Sequence, residues 1–282
     1  MFFSGISDEA SQAIETQIRA HRELGWTRLE LRCVDTVNLT LLPDDRFDHV
    51  YGAVAGAGMT VSCFSSAIAN WARPITCDPQ IDIDDLRGAI PRMHRFGAKF
   101  MRVMSYPNDK DHPLSDREWR DEAIRRMKTL ARMAEDGGVI LAHENCSGWG
   151  GLSADNSNVL LGEVNSPALK VVFDTGNPVT YGQDAWEYYQ KVRNDIVYVH
   201  IKDAKKIDGV DHYTFCGDGD GCVRRIVGDL LATGYDGGFS IEPHLAAVIH
   251  TGASTNDADR LYQSYTEYGR RLMALVEEVK PR

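Results

Sequence analysis

Eight apolar runs of strand type recur along the chain, spaced so that one helix fits between each and the next: "FFSGIS" (2–7), "TRLELR" (27–32), "MTVSCFSS" (59–66), "KFMRVMSY" (99–106), "VILAHEN" (139–145), "LKVVFDTGN" (169–177), "DIVYVHIKDA" (195–204) and "GGFSIEPH" (237–244). The intervening segments are amphipathic, and several close on glycine just before the next run, at "ELGW", "AGAGM", "RFGA", "EDGGV" and "ATGYDG". Glycine there takes the left-handed conformation that ends a helix, so the pattern is a repeated strand–helix unit. Eight such units in 282 residues predict an α/β fold, a single (β/α)8 TIM barrel over residues 1–282, with an open doubly wound sheet as the competitor. The dinucleotide-binding form of that competitor loses support because no GxGxxG follows the first run. No linker rich in Pro, Ser or Gly divides the chain.

Composition narrows the class. Apolar residues make up 43% of the chain, enough for a large buried core. No apolar run approaches the roughly 18 residues that cross a bilayer, and the start "MFFSGISDEASQ" has no basic region or long apolar stretch, so a soluble, cytoplasmic protein without a membrane partner is expected. The six cysteines form no CxxC pair and read as free thiols. A formal net charge of −10 works against broad nucleic-acid binding, which needs a cationic face.

The chemistry sits where the strands end. The fifth run ends in Glu144, the sixth in Asp174, the seventh in His200 and the eighth in Glu242. Taken singly, an Asp before Gly is ordinary turn chemistry and a histidine in a strand is ordinary core. Four in order are another matter, because the carboxyl ends of barrel strands all face one rim, where active sites of this fold are built. Two Glu, one Asp and one His form a mostly oxygen ligand set suited to one divalent ion, Mn²⁺, Mg²⁺ or Co²⁺ in preference, with Zn²⁺ as an alternative. Strand alternation adds Glu30 and Arg32, which fall on the face opposite Leu29 and Leu31 and so point inward, either to the site or to each other as an internal ion pair.

"GISDEA", "LELR", "HEN", "FDTGN", "VHIKD" and "GYDGGFSIEPH" together resemble the sugar phosphate isomerase/epimerase group of xylose-isomerase-like TIM barrels, over nearly the whole chain. The resemblance implies one divalent metal held by Glu144, Asp174, His200 and Glu242, and a small-molecule carbohydrate substrate. It also allows a homo-oligomer. Isomerisation or epimerisation beside a carbonyl needs a base to remove a proton, an acid to return it and a means to stabilise the enediolate between, here a metal. In the ketose 3-epimerases of this superfamily two matching glutamates move the proton, and the carry-over makes Glu144 and Glu242 catalytic.

Two departures stand out. Asn177 replaces the His usual three residues after the sixth-run Asp, which changes a substrate contact and weakens an endonuclease-IV-like reading that needs that His for a trinuclear zinc cluster. Lys202 follows His200 in "IKDA" where the epimerases have "IGE", on the same strand face as His200 and able to meet a substrate oxygen or anion. Further substrate-binding candidates are Trp71, which could stack on a sugar; Arg102, on a strand face with Phe100 and Met104; His244, just beyond Glu242; and His212, whose loop "DGVDHYTFCGDGDG" (208–221) resembles the family segment that closes over the site. His143, the neighbour of Glu144, should face away from the centre. The glycines of that loop offer backbone amides to a phosphate, but Asp218 and Asp220 oppose one.

The leading expectation is a metal-dependent isomerase or epimerase of a ketose, keto-sugar or inosose. A dehydratase of keto-inositols or a lyase of 3-oxo-glycosides would begin with the same proton abstraction and stands second, and a non-catalytic binding barrel stands last.

Overall fold

The computed structural model describes residues 1–248, 253–255 and 257–281. Eight parallel strands form a nearly closed barrel: β1 Phe2–Gly5, β2 Arg28–Leu31, β3 Thr60–Ser65, β4 Phe100–Ser105, β5 Ile140–Gly148, β6 Leu169–Asp174, β7 Ile196–Ile201 and β8 Gly238–Ile241. Each pairs with its neighbour in sequence from β2 to β8; β8 pairs with β1, and a single bridge, Ile6 to Glu30, joins β1 to the β2 side. Around it lie α1 Ile14–Glu23, α2 Asp44–Gly56, α3 Gln80–Phe96, α4 Asp116–Asp136, α5 Ala154–Val164, α6 Ala185–Val192, α7 Val223–Ala232 and α8 Ala258–Val279. The glycines expected to stop helices, Gly25, Gly58, Gly97, Gly138 and Gly234, all have φ between +65° and +84°, where a side chain would be strained.

Alternation along the strands sorts residues between two environments. Leu29 and Leu31 of β2 are fully buried among the surrounding helices, with Phe47, Val50 and Leu86, and burial of each such side chain stabilises by roughly 1.5–3 kcal/mol. The inward residues of β7 are Tyr198, His200 and, just past the strand, Lys202, which climb the barrel interior in steps of two. Tyr198 packs with Cys63, Ala142 and Val172 to fill the lower interior, its hydroxyl 2.8 Å from Ser62 Oγ. The interior is therefore packed below and polar above, which sets the candidate site on the carboxyl-end rim.

The long seventh run divides in a way its sequence did not announce. β7 stops at Ile201, and an antiparallel hairpin follows, Asp203–Ile207 with Val210–Thr214. The sixth run also ends early, at Asp174, and a one-turn helix Asn177–Thr180 begins three residues on.

Candidate active site

The buried cluster lies at the ends of β5 to β8. Glu144, Asp174, His200 and Glu242 each offer one ligand-type atom, and the four atoms lie within 4.8 Å of one another. Backbone geometry positions them. Asp174 Oδ1 accepts the N–H groups of Gly176 and Asn177, both at 2.8 Å, which caps the short helix and leaves Oδ2 facing the cluster. Asn145 locks β5 to β6 by accepting the Asp174 N–H at 2.6 Å and donating Nδ2 to the Asp174 carbonyl at 2.9 Å. Beneath the cluster, Glu30 sits 3.0 Å from His200 Nε2 and accepts from Ser240 Oγ at 2.6 Å. This fixes the imidazole so that Nδ1 points up, 3.6 Å from Glu144 Oε1 and 3.8 Å from Glu242 Oε2.

The two glutamates are held alike. Glu144 turns Oε1 to His200 and accepts Asn177 Nδ2 on it at 3.2 Å, while its Oε2 lies 3.4 Å from Arg102 Nε. Glu242 turns Oε2 to His200 and Lys202, with Lys202 Nζ at 2.8 Å, while its Oε1 accepts from Arg32 Nη1 at 3.1 Å. Each carboxylate thus gives one oxygen to the cluster and the other to an arginine.

The electrostatics call for positive charge. Burial pushes the Asp174 carboxyl up, Lys202 opposes this, and Glu242 and Glu144 add to it, for a value of about 6. Burial would also raise Glu144, but His200 and Arg102 outweigh it and hold it at about 2. For Glu242 the burial effect is overcome by Lys202, His244, His200 and Arg32, which hold it well below the usual carboxylate range. Burial disfavours the His200 imidazolium, yet Glu30 and Glu144 raise its pKa well above the ordinary value.

The donor set fits a divalent cation. Asp174 Oδ2 and His200 Nδ1 are buried and make no aligned hydrogen bond among the described residues, although Lys202 Nζ lies 2.9 Å from the former as an ion pair. Such orphaned atoms are costly unless something binds them. Six carboxylates, those of Asp8, Glu9, Glu30, Glu144, Asp174 and Glu242, meet three cations, Arg32, Arg102 and Lys202, so room remains for a doubly charged ion.

Above the cluster opens a cavity of about 290 Å³. Trp71, Arg102, Asn177, Lys202 and His244 line it with Glu144 and Glu242. Asp174, His200 and Glu30 are outside its described lining, and Glu30, expected as a substrate contact, meets His200 there. Nor do Glu30 and Arg32 pair with each other: Arg32 binds Asp8, both oxygens at 3.1 Å, as well as Glu9 and Glu242. His212 stands exposed on the hairpin opposite Lys205, and the next residue, Tyr213, lines the cavity in its place. His143 faces away as expected, buried 3.0 Å from Ser105 Oγ, and burial lowers its pKa to about 4.

The glycine-rich segment is already occupied. Asp203 accepts the N–H groups of Gly217 at 2.8 Å, Gly219 at 3.0 Å and Gly221 at 2.9 Å, so an internal carboxylate holds the amides that a phosphate would need. Sequence reasoning passed over Asp203, along with Asp8 and Glu9 of "SDEA", Tyr181 and Tyr213. For Asp8 and Glu9 the signal was present, as two acids directly after β1 at the same rim.

This chain belongs to the xylose isomerase-like TIM barrel family, whose profile matches residues 18–264. Inosose dehydratase from Clostridium beijerinckii is 27% identical over an alignment of 176 residues that covers 53% of this chain, and the chain spans 59% of that relative's length. Among solved structures, an L-ribulose 3-epimerase superposes with a TM-score of 0.74 at 16% identity, covering 99% of this chain and 95% of the other. A xylose isomerase-like TIM barrel protein from Mycobacterium smegmatis in complex with magnesium gives 0.66 at 21%, covering 90% and 88%. At these identities the structural likenesses speak to fold. Among the described residues, no helix is long and apolar enough to cross a membrane.

Proposed function

We propose that the protein is a divalent-metal-dependent isomerase or epimerase that moves a proton beside the carbonyl of a keto-sugar or inosose. The observation that carries this reading is the convergence of Glu144, Asp174, His200 and Glu242, with Asp174 Oδ2 and His200 Nδ1 orphaned, at the floor of a cavity. These four residues would hold the ion, which supplies polarisation of the substrate carbonyl and offsets negative charge developing on its oxygen. Mn²⁺, Mg²⁺ or Co²⁺ suits the oxygen-rich set.

The chain's own groups do the rest. Glu144 and Glu242 are ionised at neutral pH and both line the cavity, each with one oxygen steadied by an arginine, so one carboxylate can take a proton from substrate carbon and, once protonated, return it to substrate. Asn177 holds Glu144 in place by its amide, and Arg32 holds Glu242. Glu30 keeps His200 oriented from below. Trp71 offers an apolar face at the cavity mouth to a sugar ring, and His244, set beside Glu242, offers a ring nitrogen to its hydroxyls.

A dehydratase is the second reading, favoured by one observation: the Lys202 ammonium lies 2.8 Å from Glu242 at the cavity wall, where it can give a proton to a departing hydroxyl. The similarity to an inosose dehydratase agrees with it.

Metal content per chain by elemental mass spectrometry is the first test. About one divalent ion per chain, lost in Asp174→Ala, is expected; absence of metal that added Mn²⁺ does not restore would end this reading. Incubation of the loaded protein with keto-sugars and inososes in D₂O then separates the two reactions. Epimerisation or isomerisation returns a product of unchanged formula carrying solvent deuterium, whereas dehydration removes water.

A further inference from the structure

Three permanent cations line the cavity, Arg32, Arg102 and Lys202, against two carboxylates, Glu144 and Glu242. Two of the three are fully engaged. Arg32 is bound by Asp8, Glu9 and Glu242, and Lys202 lies within 2.9 Å of both Asp174 and Glu242. Arg102 differs. It is 4% exposed, yet its Nε and Nη1 are buried without a hydrogen-bond partner among the described residues. Its one ion pair there is with Glu144, 3.4 Å from Nε and outside hydrogen-bond alignment.

A buried guanidinium with idle donors is expensive unless an acceptor arrives, and with Nε turned to Glu144 it is the end-on edge, Nη1 with Nη2, that matches a carboxylate in two parallel hydrogen bonds. Among the described residues that line the cavity, the acids are Glu144 and Glu242. Ser66 and Asn70 also line the cavity; Ser66 Oγ donates to the Arg102 carbonyl, and Asn70 Oδ1 accepts the Ala72 N–H. Arg102 faces a single carboxylate where Arg32 and Lys202 each face two or more, so it is the cavity cation with donors left for a second, singly charged group, and the glycine amides that would favour a phosphate are taken by Asp203.

We infer that the substrate carries a carboxylate, and that Arg102 is the residue that selects it. The polyhydroxylated keto portion then lies toward Glu144 and Glu242, with the carboxylate on the wall formed by the ends of β3 and β4. This rests on the proposed function for the keto portion, but the anion subsite stands on Arg102 itself.

The test compares quinate, a carboxylated cyclic polyol, with its neutral methyl ester by calorimetric titration of the Mn²⁺-saturated protein. The wild-type protein is expected to bind quinate about tenfold or more tightly than the ester, the scale of a charge-assisted contact. Arg102→Gln should bring the ratio to about one, over and above any loss that both probes share through Glu144, and Arg102→Lys should restore part of it. A structural role in steadying Glu144 would shift both affinities together and leave the ratio intact. Equal binding of the two probes by the wild-type protein, including no binding of either, overturns the inference, as does a preference that survives Arg102→Gln. Metal content measured on the same samples separates the two claims: a protein that takes up no metal but prefers quinate through Arg102 fails the proposed function and keeps the anion subsite.

Discussion

Burial holds the His21 imidazole neutral. The ring is enclosed on α1, with Nδ1 2.9 Å from the Gln17 carbonyl and Nε2 3.2 Å from the Tyr265 hydroxyl, and desolvation lowers its pKa from 6.5 to about 4 despite backbone hydrogen bonds that favour the charged form. Below pH 6.5 the unfolded chain binds a proton here that the folded chain refuses. Stability from this residue is therefore complete above pH 6.5, falls as the pH drops toward 4, and is level below that, a loss of about 3 kcal/mol across the window. In urea titrations between pH 4 and 7.5, His21→Gln should show a shallower dependence by about one proton; an unchanged slope would mean that other groups carry it. The residues of the candidate cluster were legible because a carboxylate or histidine at a strand's carboxyl end is visible in one dimension. Their supports were less so. Strand alternation put Glu30 and Arg32 inside the barrel, but it does not say that Glu30 reaches His200 across the interior while Arg32 turns to Asp8, since partners 170 residues apart meet only when the barrel closes.

At the scale of elements, the connection after β7 shows what alternation misses. Apolar and polar residues continue through "HIKDAKKI", so the sequence offers no reason to stop a strand at Ile201. What stops it is Asp203, fully buried, gathering the amides of Gly217, Gly219 and Gly221 from the far side of the hairpin. The glycines are needed for space: a Cβ on Gly219 would stand 2.1 Å from Asp203 Oδ1. That loop places Lys202 and Tyr213 against the cavity. Asp203→Ala strands these amides, and each unsatisfied buried group costs roughly 1–3 kcal/mol, less where water enters. A loss of stability of about 2–4 kcal/mol is expected, with faster hydrogen exchange at Gly217, Gly219 and Gly221. If exchange at those three amides is unchanged, the carboxylate does not organise the loop.

Closure of the whole molecule depends on a seam where its two ends meet. β1 lies between β8, paired along four residues, and the β2 side, joined by the one bridge from Ile6, and α8 covers this seam from outside with Tyr265. Gly5 is at the crossing point. A Cβ added there would lie 2.1 Å from Tyr265 Oη and 2.7 Å from Ile241 Cγ1, so even alanine must push α8 outward or part β1 from β8. Overpacking of this kind costs typically 1–3 kcal/mol. The effect should not stop at stability, because Ile241 immediately precedes Glu242, and the Tyr265 hydroxyl is also the partner of His21. Gly5→Ala is therefore expected to unfold at lower urea and, while folded, to bind Mn²⁺ more weakly than the wild-type chain, since a displaced β8 carries a proposed ligand with it. Urea midpoints together with Mn²⁺ titrations followed by electron paramagnetic resonance read both effects. A variant that loses stability but keeps full metal affinity would show that α8 alone yields and that the strand end bearing Glu242 is held from the β7 side, where Ile241 pairs with Ile201.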